Sequence, residues 1–199
     1  SSHSIFVGYE NEIISSKIIN YADSEGEIII VLENTPFYSE SGGQIGDTGI
    51  IKNDDFSARV NDTQKNGDYV LHICTLTNGA IGENLTVECM IDVDRRNNIK
   101  VNHTATHLLH QSLKDVLGGH VNQAGSLVHP EYLRFDITHP NKISLKQLED
   151  IELIVNKKIS EDITVETNIK SLEEAKKEGA TALFGEKYGD QVRVVTMGE

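Results

Sequence analysis

Two histidines at the spacing His103-Thr-Ala-Thr-His107 are the residues most able to do chemistry, because positions i and i+4 of a helix share a face one turn apart. Two imidazole nitrogens so placed can reach one tetrahedral Zn²⁺ at ~2.0–2.1 Å. The pattern departs from the metalloprotease His-Glu-x-x-His, since Thr104 and Ala105 stand where a general-base Glu would follow the first His. The alternative for such a pair is a packed or solvated role. His110 lies one turn further along, and Leu109 and Leu113 beside it favour packing. A catalytic zinc takes three protein ligands plus water. Cys74 and Cys89 lie in strand-like segments and read as small buried apolar side chains, while His120, His129 and His139 are further ligands by residue type, the last two preceding prolines.

The second chemical segment is Thr35-Pro-Phe-Tyr-Ser-Glu-Ser-Gly-Gly-Gln-Ile-Gly-Asp-Thr-Gly49. It is either a structured hairpin with left-handed glycines or a loop whose backbone N–H groups, around Gly42 and Gly43, and Gln44 amide approach a ligand. A third set is basic: Arg95, Arg96, Lys100, Lys114 and Arg134 either face phosphates together or are solvated charges and ion-pair members.

As for the elements that must hold these groups, residues 1–90 are rich in β-branched residues and turn formers, with an apolar run at 27–33 and turn clusters at 41–43, 53–55, 66–68 and 78–79. Short strands at that spacing predict a small barrel or meander. Near Asp94-Arg-Arg96 the period changes to three or four, predicting a helix of about twenty residues that carries His103 and His107 and is ended by Gly118-Gly119. A hairpin over 120–137 follows. Ser144 with Gln147 caps a second helix whose buried stripe is Leu145, Leu148, Ile151, Val155 and Ile159, and Ser171 with Glu174 caps a short third one. Strands at 163–169 and 192–195 complete an α+β second part, with helices on one face of a mostly antiparallel sheet. The domain boundaries expected are 1–92 and 93–199.

Composition narrows the classes. The 199 residues are 38% hydrophobic and 25% charged, with a net charge of −13. Residues 1–90 hold 4 basic and 14 acidic groups, residues 91–199 hold 14 and 17. An acidic total argues against a free-standing nucleic-acid binder. No run of 18 apolar residues and no signal-peptide pattern occur, so no membrane association is expected, and two cysteines fit a reducing cytoplasm.

These segments resemble the editing region of alanyl-tRNA synthetases and of free-standing alanyl-tRNA editing proteins. The likeness runs through residues 35–49, Asp62-Thr-Gln-Lys65, Arg95-Arg96, Asn102-His-Thr-Ala-Thr-His-Leu-Leu-His110, Gly125-Ser-Leu-Val128, Leu133-Arg-Phe-Asp136 and Ala182-Leu-Phe-Gly-Glu-Lys-Tyr-Gly-Asp190. It implies a small β-barrel followed by the α+β editing core shared with threonyl-tRNA synthetase. It further implies a zinc-dependent aminoacyl-tRNA deacylase that hydrolyses Ser-tRNA(Ala) and Gly-tRNA(Ala), inside an enzyme that ligates alanine to tRNA(Ala) using ATP.

By that resemblance His103 and His107 are the first two zinc ligands, and Thr106 and Gln123 shape the pocket. Gln44, Gly42 and Gly43 lie beside the active site, while Arg95 and Arg96 are expected to bind substrate from their place in the less acidic half of the chain. The remaining two ligands belong to a Cys-Gly-Gly-Thr-His segment expected beyond Glu199, which makes the chain a fragment with two of four ligands. The implied partners are the acceptor end of tRNA(Ala) carrying Ser or Gly and the remaining domains of the synthetase. Two other readings stand beside it: a metal-free, non-catalytic scaffold or tRNA-contacting module, and an unrelated metallohydrolase using His103, His107 and a downstream His or Asp.

Overall fold

The computed structural model describes residues 3–24, 26–180 and 189–197. The chain divides into two compact units, one of residues 1–102 with 127–133 and the other of residues 103–126 with 134–199.

In the first unit, β1 (Ile5–Phe6), β2 (Ile13–Ser24), β3 (Glu27–Leu32), β4 (Asn34–Thr35), β5 (Gly49–Lys52), β6 (Phe56–Asn66), β7 (Tyr69–Gly79) and β8 (Thr86–Ile91) follow one another. Six of them close a barrel in the order β2-β3-β7-β6-β5-β8, every neighbouring pair antiparallel. Alternation at period two explains what fills it: Phe56, Ala58 and Val60 of β6, Val70, His72 and Cys74 of β7, and Val87, Cys89 and Ile91 of β8 are buried, with Ile18, Ile30, Leu32, Phe37 and Ile51. A register shift between Val60 and Asp62 moves the inward position of β6 to Thr63. Closure leaves the barrel no unpaired edge.

The largest polar side chain buried in this interior is His72. His72 donates from Nδ1 to the Ile30 carbonyl at 2.8 Å, and its Nε2 lies 2.7 Å from Thr35 Oγ1. Thr35 Oγ1 in turn accepts from the Phe37 N–H at 3.1 Å. Burial outweighs the Ile30 hydrogen bond and lowers the imidazole from 6.5 to about 4, so it is neutral at pH 7.

α1 (Val93–Leu117) starts where the sequence period changes. Asp92 caps it by accepting the Arg95 N–H at 3.0 Å, and Gly118, at φ +115°, ends it with its N–H on the Lys114 carbonyl. The α+β second unit contains β9 (Asn122–Val128) through Ser126, β10 (Leu133–Thr138) from Arg134, and then α2 (Leu145–Ser160), β11 (Val165–Ser171), α3 (Leu172–Lys177) and β12 (Gln191–Met197). β9 pairs with β10, and β11 pairs antiparallel with β12. The expected sheet thus takes the form of two ribbons. Both capping boxes form, Ser144 with Gln147 and Ser171 with Glu174.

The core of this unit is Leu113, Val121 and Ile151, flanked by Leu109, Val116, Leu117, Phe135, Ile137, Ile143 and Val155. The stripe expected on α2 is corrected here. Ile151 is buried and Val155 partly so, but Leu145, Leu148 and Ile159 are 80%, 47% and 55% exposed. Amphipathic spacing reports which residues can be buried, whereas burial needs an opposing surface, and α2 meets this core around its middle turns. Most of the Ala182–Asp190 motif lies outside the described residues.

Candidate functional site

The face of α1 that enters the second unit carries His103, Thr106, His107 and His110 at spacings of three and four. The His103 and His107 rings are nearly parallel, 18° apart with centroids 5.2 Å apart. Burial, and then the positive charge of Arg193, hold the His103 imidazole below its ordinary value, which favours the neutral form that ligates metals. Thr106 is buried between them in sequence and on the same face. Gln123, on β9 of the same unit, is half-buried.

His110 turns to the core instead. Its ring lies 5.0 Å from that of Phe135, it hydrogen-bonds the Val121 carbonyl, and its Nε2 is buried without a partner among the described residues. Burial, and next Lys114, lower its imidazole. Two nitrogen donors fit half of a zinc site: among the described residues no group of three or more His, Cys, Asp or Glu is placed to hold a metal. Cys74 and Cys89 belong to the barrel interior as free thiols, both pushed up to about 12, chiefly by burial.

Gln44, Gly42 and Gly43 belong to the first unit. Gly42 and Gly43 adopt φ of +59° and +84°, the left-handed region that a Cβ disfavours, inside a turn in which the Ser41 and Gln44 backbones exchange hydrogen bonds of 3.1 and 2.9 Å. The Val128 N–H donates to the Gly43 carbonyl at 2.7 Å and the Ile45 N–H to the Val128 carbonyl at 3.3 Å, so the loop is pinned on both sides of a buried Gln44. Phe37 anchors it from inside the barrel, edge-on to His72 with centroids 5.2 Å apart.

Arg96 explains why so irregular a segment holds its shape. Its Nε donates to both Asp47 carboxylate oxygens at 2.9 Å, its Nη2 meets Asp47 Oδ2, and Nη1 and Nη2 reach the Gly8 and Pro36 carbonyls at 2.9 and 3.0 Å. Asp47 also accepts the Tyr38 N–H at 2.7 Å. This buried pair commits most of the Arg96 guanidinium's donors to the loop and to Asp47. Arg95 donates from Nη1 to the Gly46 carbonyl at 2.8 Å but is only half-buried. Arg134 pairs with Asp136 at 3.2 Å on the surface, and Lys100 is exposed. Sequence reasoning overlooked Arg193, whose charge acts on His103; an arginine inside the otherwise apolar Val192-Arg-Val-Val195 strand was the available signal.

A family model described as tRNA synthetases class II (A) matches residues 3–95. The chain is 45% identical over 203 positions to the alanine--tRNA ligase of Mesorhizobium japonicum, an overlap covering 97% of this chain and 23% of that protein. It is 48% identical over 183 positions to the alanine--tRNA ligase of Haemophilus influenzae, covering 92% of this chain and 21% of that protein. The chain therefore spans less than a quarter of the length of these relatives. The likeness runs along nearly the whole of this chain, and the chain belongs to the alanine--tRNA ligase family.

Proposed function

We propose that this chain is the editing region of an enzyme that ligates alanine to tRNA(Ala), and that it hydrolyses the ester of Ser-tRNA(Ala) and Gly-tRNA(Ala). The observation that carries the reading is the single helical face on which His103, Thr106 and His107 stand together in a relative of alanine--tRNA ligases. A pocket discriminates side chains that differ by one methylene by only ~1–3 kcal/mol, so a ligase for alanine needs a second, hydrolytic site. In that site the Thr106 hydroxyl and the Gln123 amide bind the serine hydroxyl. Alanine leaves those polar groups unpaired and is spared, a mode of rejection that reaches ~10⁴–10⁵ and that accounts for the seryl ester alone, glycine carrying no hydroxyl to pair with them.

His103 and His107 would hold a Zn²⁺ together with ligands from the part of the ligase outside this chain. When bound, zinc supplies polarisation of the ester carbonyl or orientation of a water. The chain's own groups do the rest: burial holds His103 toward the neutral form that ligates, and Thr106 and Gln123 orient the aminoacyl group. Arg95, with Lys100, meets the phosphates of the tRNA acceptor end.

The half-built donor set favours a second reading of the isolated chain, a folded scaffold that holds no metal. Metal analysis after dialysis separates the two: stoichiometric zinc in the 199-residue chain would overturn the scaffold reading. For the function itself, Thr106→Val in the parent ligase is expected to slow Ser-tRNA(Ala) hydrolysis while leaving alanine ligation intact. An unchanged hydrolysis rate removes Thr106 from the pocket.

A further inference from the structure

The first unit carries a surface aromatic cluster to which the proposed hydrolysis gives no task. The Phe6 ring meets those of Tyr9 and Tyr38 in T-shaped contacts, with centroids 5.0 and 5.9 Å apart and planes at 81° and 77°. Tyr9 is 62% exposed, while Phe6 and Tyr38 are half-buried. A tyrosine this open to water forgoes most of the apolar burial by which an aromatic side chain stabilises a fold.

The backbone beneath the cluster is fixed. Phe6 pairs with Thr35 in the parallel β1–β4 ladder, the Val7 N–H donates to the Thr35 carbonyl at 2.9 Å, and Asn11 Nδ2 donates to the Val7 carbonyl at 3.0 Å. Gly8 lies so close to Pro36 that a Cβ would stand 2.1 Å from its carbonyl oxygen, and Arg96 Nη1 and Nη2 tie the Gly8 and Pro36 carbonyls together. Tyr38 donates its N–H to Asp47 Oδ2 at 2.7 Å and accepts the Asp47 N–H on its carbonyl at 2.9 Å. The residue before Asp47 is Gly46, whose carbonyl accepts from Nη1 of the half-buried Arg95 at 2.8 Å. Contacts between residues 5–9, 36–38 and 46–47 thus carry the three rings and one guanidinium on a single rigid base.

We propose that Tyr9, Phe6 and Tyr38, with Arg95, form a stacking site for the unpaired bases of a single-stranded RNA end. For the source of that strand the proposal rests on the editing reading, in which it is the 3′ end of the charged tRNA. Aromatic rings open to water beside an arginine are the chemistry by which proteins hold splayed bases, since every base has a π-face for a ring and the guanidinium meets a phosphate. The charge of the unit decides which force carries the binding. Residues 1–90 hold 4 basic and 14 acidic groups, so their overall field repels a phosphate backbone; stacking supplies the attraction and Arg95 one local phosphate contact. Rings set at right angles present steps and not a flush apolar surface, which suits inserted bases better than a packed protein face.

The test mixes the 199-residue chain with a single-stranded RNA of about six nucleotides that carries 2-aminopurine at its 3′ terminus, a base whose fluorescence falls on stacking. The wild type should quench it. Tyr9→Ala should weaken binding on the order of tenfold, Tyr9→Trp should retain it, and Tyr21→Ala, at an exposed tyrosine of β2 outside the cluster, should leave it unchanged. Arg95→Gln should reduce the slope of log affinity against log salt by about 0.7, the share of one phosphate on a single strand. No quenching by the wild type, or equal binding by the wild type and Tyr9→Ala, overturns the proposal; the second result is the one expected if the Tyr9 ring packs against another protein surface. A measurement on the unmutated chain decides even where a variant fails to fold: the RNA should shift the Tyr9 ring resonances ahead of those of Tyr21, and shifts that spare Tyr9 contradict the site. The RNA bears no ester, so failure here leaves the hydrolysis reading standing, and that reading fails separately if His103→Ala releases serine at the wild-type rate.

Discussion

Acid should loosen the barrel through one residue. His72 is neutral in the folded state because burial lowers it from 6.5 to about 4, with both ring nitrogens engaged by Ile30 and Thr35. The unfolded chain takes up the proton near 6.5 and the folded chain does not, so between these values the unfolded state binds more protons and stability falls as pH falls. At 1.36 kcal/mol per tenfold change in proton affinity, the loss is about 3 kcal/mol once pH is below 4 and about 2 kcal/mol at pH 5. Against a typical domain stability of ~5–15 kcal/mol that is a large fraction.

Urea unfolding at pH 7 and pH 5 measures it, followed by a barrel tyrosine signal in the wild type and in His72→Gln, whose amide offers a donor and an acceptor but does not titrate. The variant should lose about 2 kcal/mol less than the wild type on going from pH 7 to 5, roughly 1 M urea in midpoint difference. Contributions of His103 and His110, which are also lowered, cancel in the comparison. Equal losses in both proteins, or a His72 resonance that titrates near 6.5 in the folded chain, would refute the reasoning.

Other outcomes follow from the same geometry. Asp47→Asn strands the buried Arg96 charge and should cost about 3–5 kcal/mol by urea denaturation, while Asp136→Asn at the exposed Arg134 pair should cost under about 1 kcal/mol. Cys74 and Cys89, both pushed up to about 12 within the barrel, should resist a disulfide-exchange reagent at pH 7 in the native protein and react fully in denaturant. Ser144→Ala removes the N-cap of α2 and should destabilise the second unit by about 1 kcal/mol, read from its amide exchange. Arg193→Gln removes a positive charge and should raise the His103 imidazole, measured by its proton resonances in metal-free protein.

What was legible in the sequence was what local pattern determines. β-branched richness and the turn clusters predicted the barrel, the change of period near Asp94 located α1, and Ser144 with Gln147 and Ser171 with Glu174 located two helix starts to the residue. The spacing of His103 and His107 alone sufficed to place them on one face. What was not legible depends on residues far apart in the chain. Arg96 and Asp47 are 49 positions apart, and nothing local distinguishes an arginine that will be buried in a loop from one that faces water. The hydrogen bond between His120 and His139 required the β9–β10 pairing, and the exposure of Leu145 and Ile159 required knowing where the opposing core ends.

The proposed place of cleavage of the mischarged ester is the face of α1 that carries His103, Thr106 and His107. The measurement that tests this most directly is the first-order rate of serine release from Ser-tRNA(Ala) by the parent ligase, wild type against His103→Ala, with alanine ligation measured on the same preparations to show that the rest of the enzyme is intact. The expected result is serine release reduced by at least about a hundredfold with ligation unaltered, as loss of a metal-site residue at a hydrolytic centre requires. Serine release at the wild-type rate would contradict it.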